Sequence, residues 1–149
     1  MSLRNLIFAL GLLSLPATGQ AAANDAHGYW LTENGKAIVK FGPCGSETCG
    51  KMVWISSPRD ESGKLKLDVK NTDGNKRGRP LCGLTLVGGL KSKGKDLDGW
   101  IYNPRDGDTY SVNVEALSAE QLKVRGFVGI KLFGSSQVWT RVENDRGGC

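Results

Sequence analysis

The chain has 149 residues, with 20 Lys and Arg against 15 Asp and Glu and one His, for a formal net charge of +5. That length holds one domain with a single hydrophobic core and excludes a multidomain organisation. The one long apolar run lies at the N-terminus, so the remainder carries no candidate membrane span.

Arg4, the apolar stretch Leu6 to Leu15, Pro16 and the small-residue end Gln20-Ala21-Ala22-Ala23 are the three parts of a secretory signal. The stretch is shorter than the roughly 20 residues of a permanent anchor. No cysteine follows it to carry a lipid. Residues 1–23 are therefore expected to be a signal peptide and 24–149 a single domain, periplasmic or secreted. Without Arg4, that domain carries 19 basic and 15 acidic residues.

From there the chain is a series of short β-branched and aromatic runs. Strands are expected at Tyr29–Thr32, Lys36–Phe41, Lys51–Ser56, Leu81–Leu90, Gly99–Asn103, Thr109–Ala116, Gln121–Val128 and Ser136–Val142. Tyr110, Val112, Val114 and Ala116 alternate with polar residues, which gives that strand one dry and one wet face. No stretch of similar length has a helical period. Asn34-Gly35 predicts a type I′ hairpin turn between the first two strands, and Pro104-Arg105-Asp106-Gly107 predicts a second tight turn.

The cysteines are Cys44, Cys49, Cys82 and Cys149. Their spacing does not make paired zinc ligands, and an exported chain favours disulfides. Cys44 and Cys49 flank a hairpin tip, so they are the expected pair. A loop that short gains little chain-entropy stabilisation, and the bridge should chiefly fix the loop's shape. The pairing of Cys82 with Cys149 is left open.

The connection Ser57 to Pro80 is long for a compact domain. It holds Arg59, Lys64, Lys66, Lys70, Lys76, Arg77 and Arg79 against Asp60, Glu61, Asp68 and Asp73. It contains no aromatic residue for base stacking, so nucleic acid is not the expected partner.

Gly28-Tyr29-Trp30 in the first strand and Trp139-Thr140-Arg141-Val142 in the last resemble the lipocalin-type (calycin) arrangement. That resemblance implies Trp30 plugging the barrel floor with Arg141 stacked across its ring. The chain also resembles the exported bacterial proteins of domain-of-unknown-function family 2147. The matching stretches include Cys44 to Gly50, Asp68-Val69-Lys70-Asn71, Arg77 to Gly83, Ile101 to Gly107 and Val124 to Phe127. The fold implied is all-β: an eight-stranded antiparallel up-and-down barrel with one long loop after the third strand. The resemblance carries no agreed activity and no catalytic residues.

The catalytic inventory is thin. His27 stands just before the first strand and reads as a solvated tail residue, not a general base. Oxidised cysteines are not nucleophiles. Asp106-Gly107-Asp108 lacks the repeated oxygen ligands of a calcium loop. Neither an enzyme, nor a metal, nor a cofactor is expected, and the domain is expected to be a monomer. The favoured role is binding a small apolar or amphipathic, anionic ligand inside the barrel. Trp54, Trp100 and Tyr102 are the candidates for the wall, with Arg77 and Arg79 on the long loop for an acidic head group. The alternative is a solid barrel whose loops bind a macromolecule, as an enzyme inhibitor or glycan-binding module does.

Overall fold

The structure, a computed structural model, describes residues 18–149, so most of the expected signal segment lies outside the described residues. A short helix, α1 (Thr18–Ala26), precedes eight strands: β1 (Gly28–Leu31), β2 (Ala37–Cys44), β3 (Glu47–Ile55), β4 (Thr85–Lys93), β5 (Asp96–Asn103), β6 (Asp108–Ala116), β7 (Gln121–Phe127) and β8 (Ser135–Val142). Each strand pairs antiparallel with the next, and β8 returns to β1, closing an up-and-down barrel without a free edge. The fold is similar to a lipocalin barrel, as the sequence resemblance implies.

The strand pattern holds with local shifts. β4 starts at Thr85 and not at Leu81, because Leu81, Cys82 and Gly83 turn the chain into the barrel wall. β4 runs on to Lys93 and β5 begins earlier than expected, at Asp96, so the two join in a hairpin at Gly94, whose φ is 64°. The turn after β1 is not type I′. Only Gly35 has a positive φ (68°), and the Asn34 side chain instead accepts hydrogen bonds from Lys36 N–H (3.0 Å) and Thr32 Oγ1 (2.9 Å). That is local Asx chemistry, not a left-handed Asn. Helix α1 has no counterpart among the expected elements.

The barrel is closed at the end where α1 sits. Trp30 is fully buried, and its indole N–H donates to Ala26 O at 2.8 Å. The Arg141 guanidinium lies 4.1 Å from the ring centroid and donates to the carbonyls of His27 (2.8 Å), Asp25 (2.9 Å) and Ala119 (2.5 Å). Gly28 is required here: its φ is 125°, and a Cβ would run into Arg141 Nη1. Ala22 and Ala26 of α1 pack against the core, which continues upward through Val39, Phe41, Leu90, Leu97, Val112, Val114 and Leu122. On β6, Val112 and Val114 face in while Thr109 and Ser111 face out, as their alternation predicts.

Residues 56–84 join β3 to β4 at the opposite end. This segment is not a loose loop. Bridges pair Arg59 with Leu65 and Leu67 with Pro80, and Asp73 caps a 3₁₀ turn at Gly74–Lys76. A buried polar cluster holds it to the barrel. Asp68, with no exposed surface, accepts from Tyr102 OH (2.5 Å), Asn71 Nδ2 (2.9 Å) and Arg79 Nε (3.0 Å). Disulfides join Cys44 to Cys49 across the β2–β3 hairpin and Cys82 to Cys149, which ties the C-terminus to the start of β4.

Candidate functional site

Above the packed floor the interior is not filled. A cavity of about 670 Å³ opens at the end opposite α1, within the ~300–1,000 Å³ range of small-molecule sites. The barrel is therefore not packed solid. The wall is built by inward positions of six strands, with Ala37, Met52, Leu86, Ile101, Val124 and Trp139 giving it an apolar surface. Trp139 is 3% exposed, its ring centroid lies 6.1 Å from that of Phe41 below it, and its indole N–H donates to Gln137 Oε1.

The rim is polar and basic. Lys36 comes from the β1–β2 turn, Lys66 from the long connection and Arg105 from the β5–β6 turn, with Asn34, Ser57, Tyr110 and Gln137 between them. Lys36, Lys66 and Arg105 make no ion pair among the described residues. No carboxylate, imidazole or thiol belongs to the described lining, so its ionisable groups are cations and phenols. Such a surface favours an anionic group at the mouth and an apolar body below it.

Of the five ligand candidates from the sequence, one borders this cavity. Tyr102 lies at its edge, with its hydroxyl committed to Asp68. Trp100 faces outward and lies on Gly88 and Gly89, where a Cβ would overlap the indole. Trp54 also stays off the cavity lining, with Arg146 stacked over it at 5.0 Å. Arg77 donates to Asn71 O (2.7 Å), and Arg79 is salt-bridged to Asp68 (2.9 Å) and stacked at 5.7 Å over Tyr102. Both arginines hold the connection in shape and are absent from the cavity lining. The cations that do line it are Lys36, Lys66 and Arg105.

Burial alone would raise the Asp68 carboxyl. The hydrogen bonds from Tyr102, Asn71 and Arg79, with the Arg79 charge, outweigh it and hold the group below the usual carboxylate range. Burial and the facing Asp68 carboxylate push the Tyr102 phenol up. The cluster is thus an ionised acid with neutral and cationic donors around it, and it docks the connection on the barrel. His27 is at the closed end, 3.3 Å from Thr48 Oγ1, and is part of the floor, not a solvated tail. Asp106 accepts from Asp108 N, Asn103 Nδ2 and Tyr110 OH, so it organises its turn.

The barrel is similar to a solved structure described as "Protein HP1028 from the human pathogen Helicobacter pylori belongs to the lipocalin family", with TM-score 0.69 and 23% identity over 81% of this chain and 85% of that one. At that identity the likeness bears on the fold. No curated protein matches the chain. The family model described as an uncharacterized protein conserved in bacteria (DUF2147) matches residues 28–141, from the glycine beneath Arg141 to Arg141 itself. The chain, with its lipocalin-like barrel, belongs to that bacterial family.

Proposed function

We propose that this protein is an exported carrier or sensor that binds a small amphipathic, anionic molecule in the mouth half of its barrel. The observation that carries the reading is the cavity itself, which is apolar on its wall and ringed by the cations Lys36, Lys66 and Arg105. A fatty acid or similar single-chain envelope lipid matches that division of polarity. Two disulfides fit an oxidising compartment, which supports export.

Processing after Ala23 has a structural consequence. It removes Ala22 from the core and the carbonyl of Ala23 that accepts from His27 N–H, while Ala26 and the Arg141 contacts to Asp25 and His27 stay. The floor is therefore built mainly from the retained side of the cut.

Trp139 reports on the cavity from within. Titration with single-chain anionic lipids should change its fluorescence and raise the melting temperature by mass action. Uncharged analogues should act more weakly. A panel of such ligands that leaves both readouts unchanged would overturn the carrier reading.

A further inference from the structure

The exposed apolar side chains of this barrel are not scattered. Among the described residues nine large hydrophobics are exposed, and seven belong to two of the connections at the mouth end. Leu65, Leu67 and Val69 are on the β3–β4 connection; Val128, Ile130, Leu132 and Phe133 are on the β7–β8 loop. Single exposed hydrophobes are ordinary on any surface, but four within residues 128–133 of one loop mark a contact surface.

The β7–β8 loop is held in place while its apolar side chains point away. Arg125 donates to the carbonyls of Lys131 (2.7 Å) and Leu132 (3.2 Å) and to Ser136 Oγ (2.8 Å), and Lys131 pairs with Asp98 at 3.1 Å. Even so, Leu132 and Phe133 are 76% and 78% exposed. A loop with so many anchors has the means to cover these residues and does not.

Charge selects the occupant. The 57–80 segment holds a basic surplus at the mouth end, and Lys36, Lys66 and Arg105 form no salt bridge among the described residues. We propose that the mouth end seats on the surface of an anionic lipid bilayer. Leu132, Phe133 and their neighbours enter the interface, the unpaired cations meet lipid head groups, and the cavity opens onto the lipid phase. The proposal deepens the cavity reading but stands on different side chains.

Flotation with vesicles tests it, using the protein recovered from its envelope after processing. It should float with vesicles of phosphatidylglycerol mixed with phosphatidylcholine, less with phosphatidylcholine alone, and less again as salt is raised. The double variant Leu132→Ser, Phe133→Ser alters exposed side chains, so its melting temperature should match the parent. Its partition into the mixed vesicles should fall about tenfold or more. Parent protein that stays unbound, or a double variant that floats as the parent does, overturns the proposal. A dimer in sedimentation that the double variant dissociates also overturns it, because a second copy then owns the surface. Val124→Trp, which fills the cavity, separates the two readings: it should keep flotation and lose the response to soluble single-chain ligands. Parent protein that binds such ligands without floating sinks only the docking; parent protein that floats without binding them sinks only the cavity reading.

Discussion

Trp30 and Arg141 act as one unit, because each satisfies what the other leaves open. The indole fills the barrel end, and the guanidinium covers its face while taking three carbonyls that the strand ladders do not use. Trp30→Ala should cost about 3–5 kcal/mol, as deletion of a buried large aromatic does. Arg141→Ala should cost less, since water can reach part of the space, yet more than the ~0.5 kcal/mol of an ordinary surface site. Denaturant unfolding of both single variants and the double variant should show clear coupling, and simple additivity would contradict the stacked floor. This pair was legible in the sequence because both ends of the motif are short and sit at fixed places in the strand order. Trp139 was equally legible. It stands two residues before Arg141, so period two puts it on the same inner face. Trp100 and Tyr102 were placeable too: the turn at 104–107 sets Ile101 opposite inward Tyr110, which turns both neighbours of Ile101 outward.

Among the elements, the β3–β4 connection departs most from what its sequence announces. Its charge and length read as a long basic loop, whereas a buried carboxylate docks it on the barrel. Nothing in local sequence reveals that Asp68 is the buried acid among four acidic residues. Its partners come from Tyr102, 34 positions away, as well as from the connection itself. Losing the carboxylate strands a buried phenol and amide, so Asp68→Ala should destabilise by about 1–3 kcal/mol. Gly107→Ala should loosen the same contact from the other side, because its φ is 82° and a Cβ would meet Lys70 O. The pH dependence has a definite sign. The folded Asp68 carboxyl lies below its ordinary value of 3.8. The stabilisation is therefore complete above that value and lost as pH falls through the depressed folded one. Hydrogen exchange across residues 65–80 should accelerate under strongly acid conditions in the parent protein. In Asp68→Asn that acid-dependent step should be absent, and its persistence would assign it to another group.

At the scale of the whole molecule, the barrel divides into a packed half that supplies stability and an open half that supplies a site. The same tilted strands serve both, because the interior of an eight-stranded barrel is just wide enough to be filled or to hold one small ligand. Here bulky side chains and Trp30 fill the closed end, while smaller or recessed positions at Ala37 and Gly126 leave room near the mouth. The magnitudes then say which part of a ligand governs affinity. About ten buried methylenes contribute on the order of 8 kcal/mol before ordering costs. Lys36, Lys66 and Arg105 are exposed, and each contact with an anionic head group is worth about 0.2–1 kcal/mol. Changing all three to Gln should therefore weaken a single-chain anionic lipid by roughly 3- to 100-fold and leave its uncharged analogue nearly unaffected. The triple variant should bind the two alike, and added salt should lower only the parent's preference for the anion. Val124→Trp should instead abolish both, because it removes the volume the apolar body needs. Should the triple variant retain the parent's preference for the anion, with Trp139 fluorescence as the readout, the head group lies away from this rim and the direction assigned to the ligand is reversed.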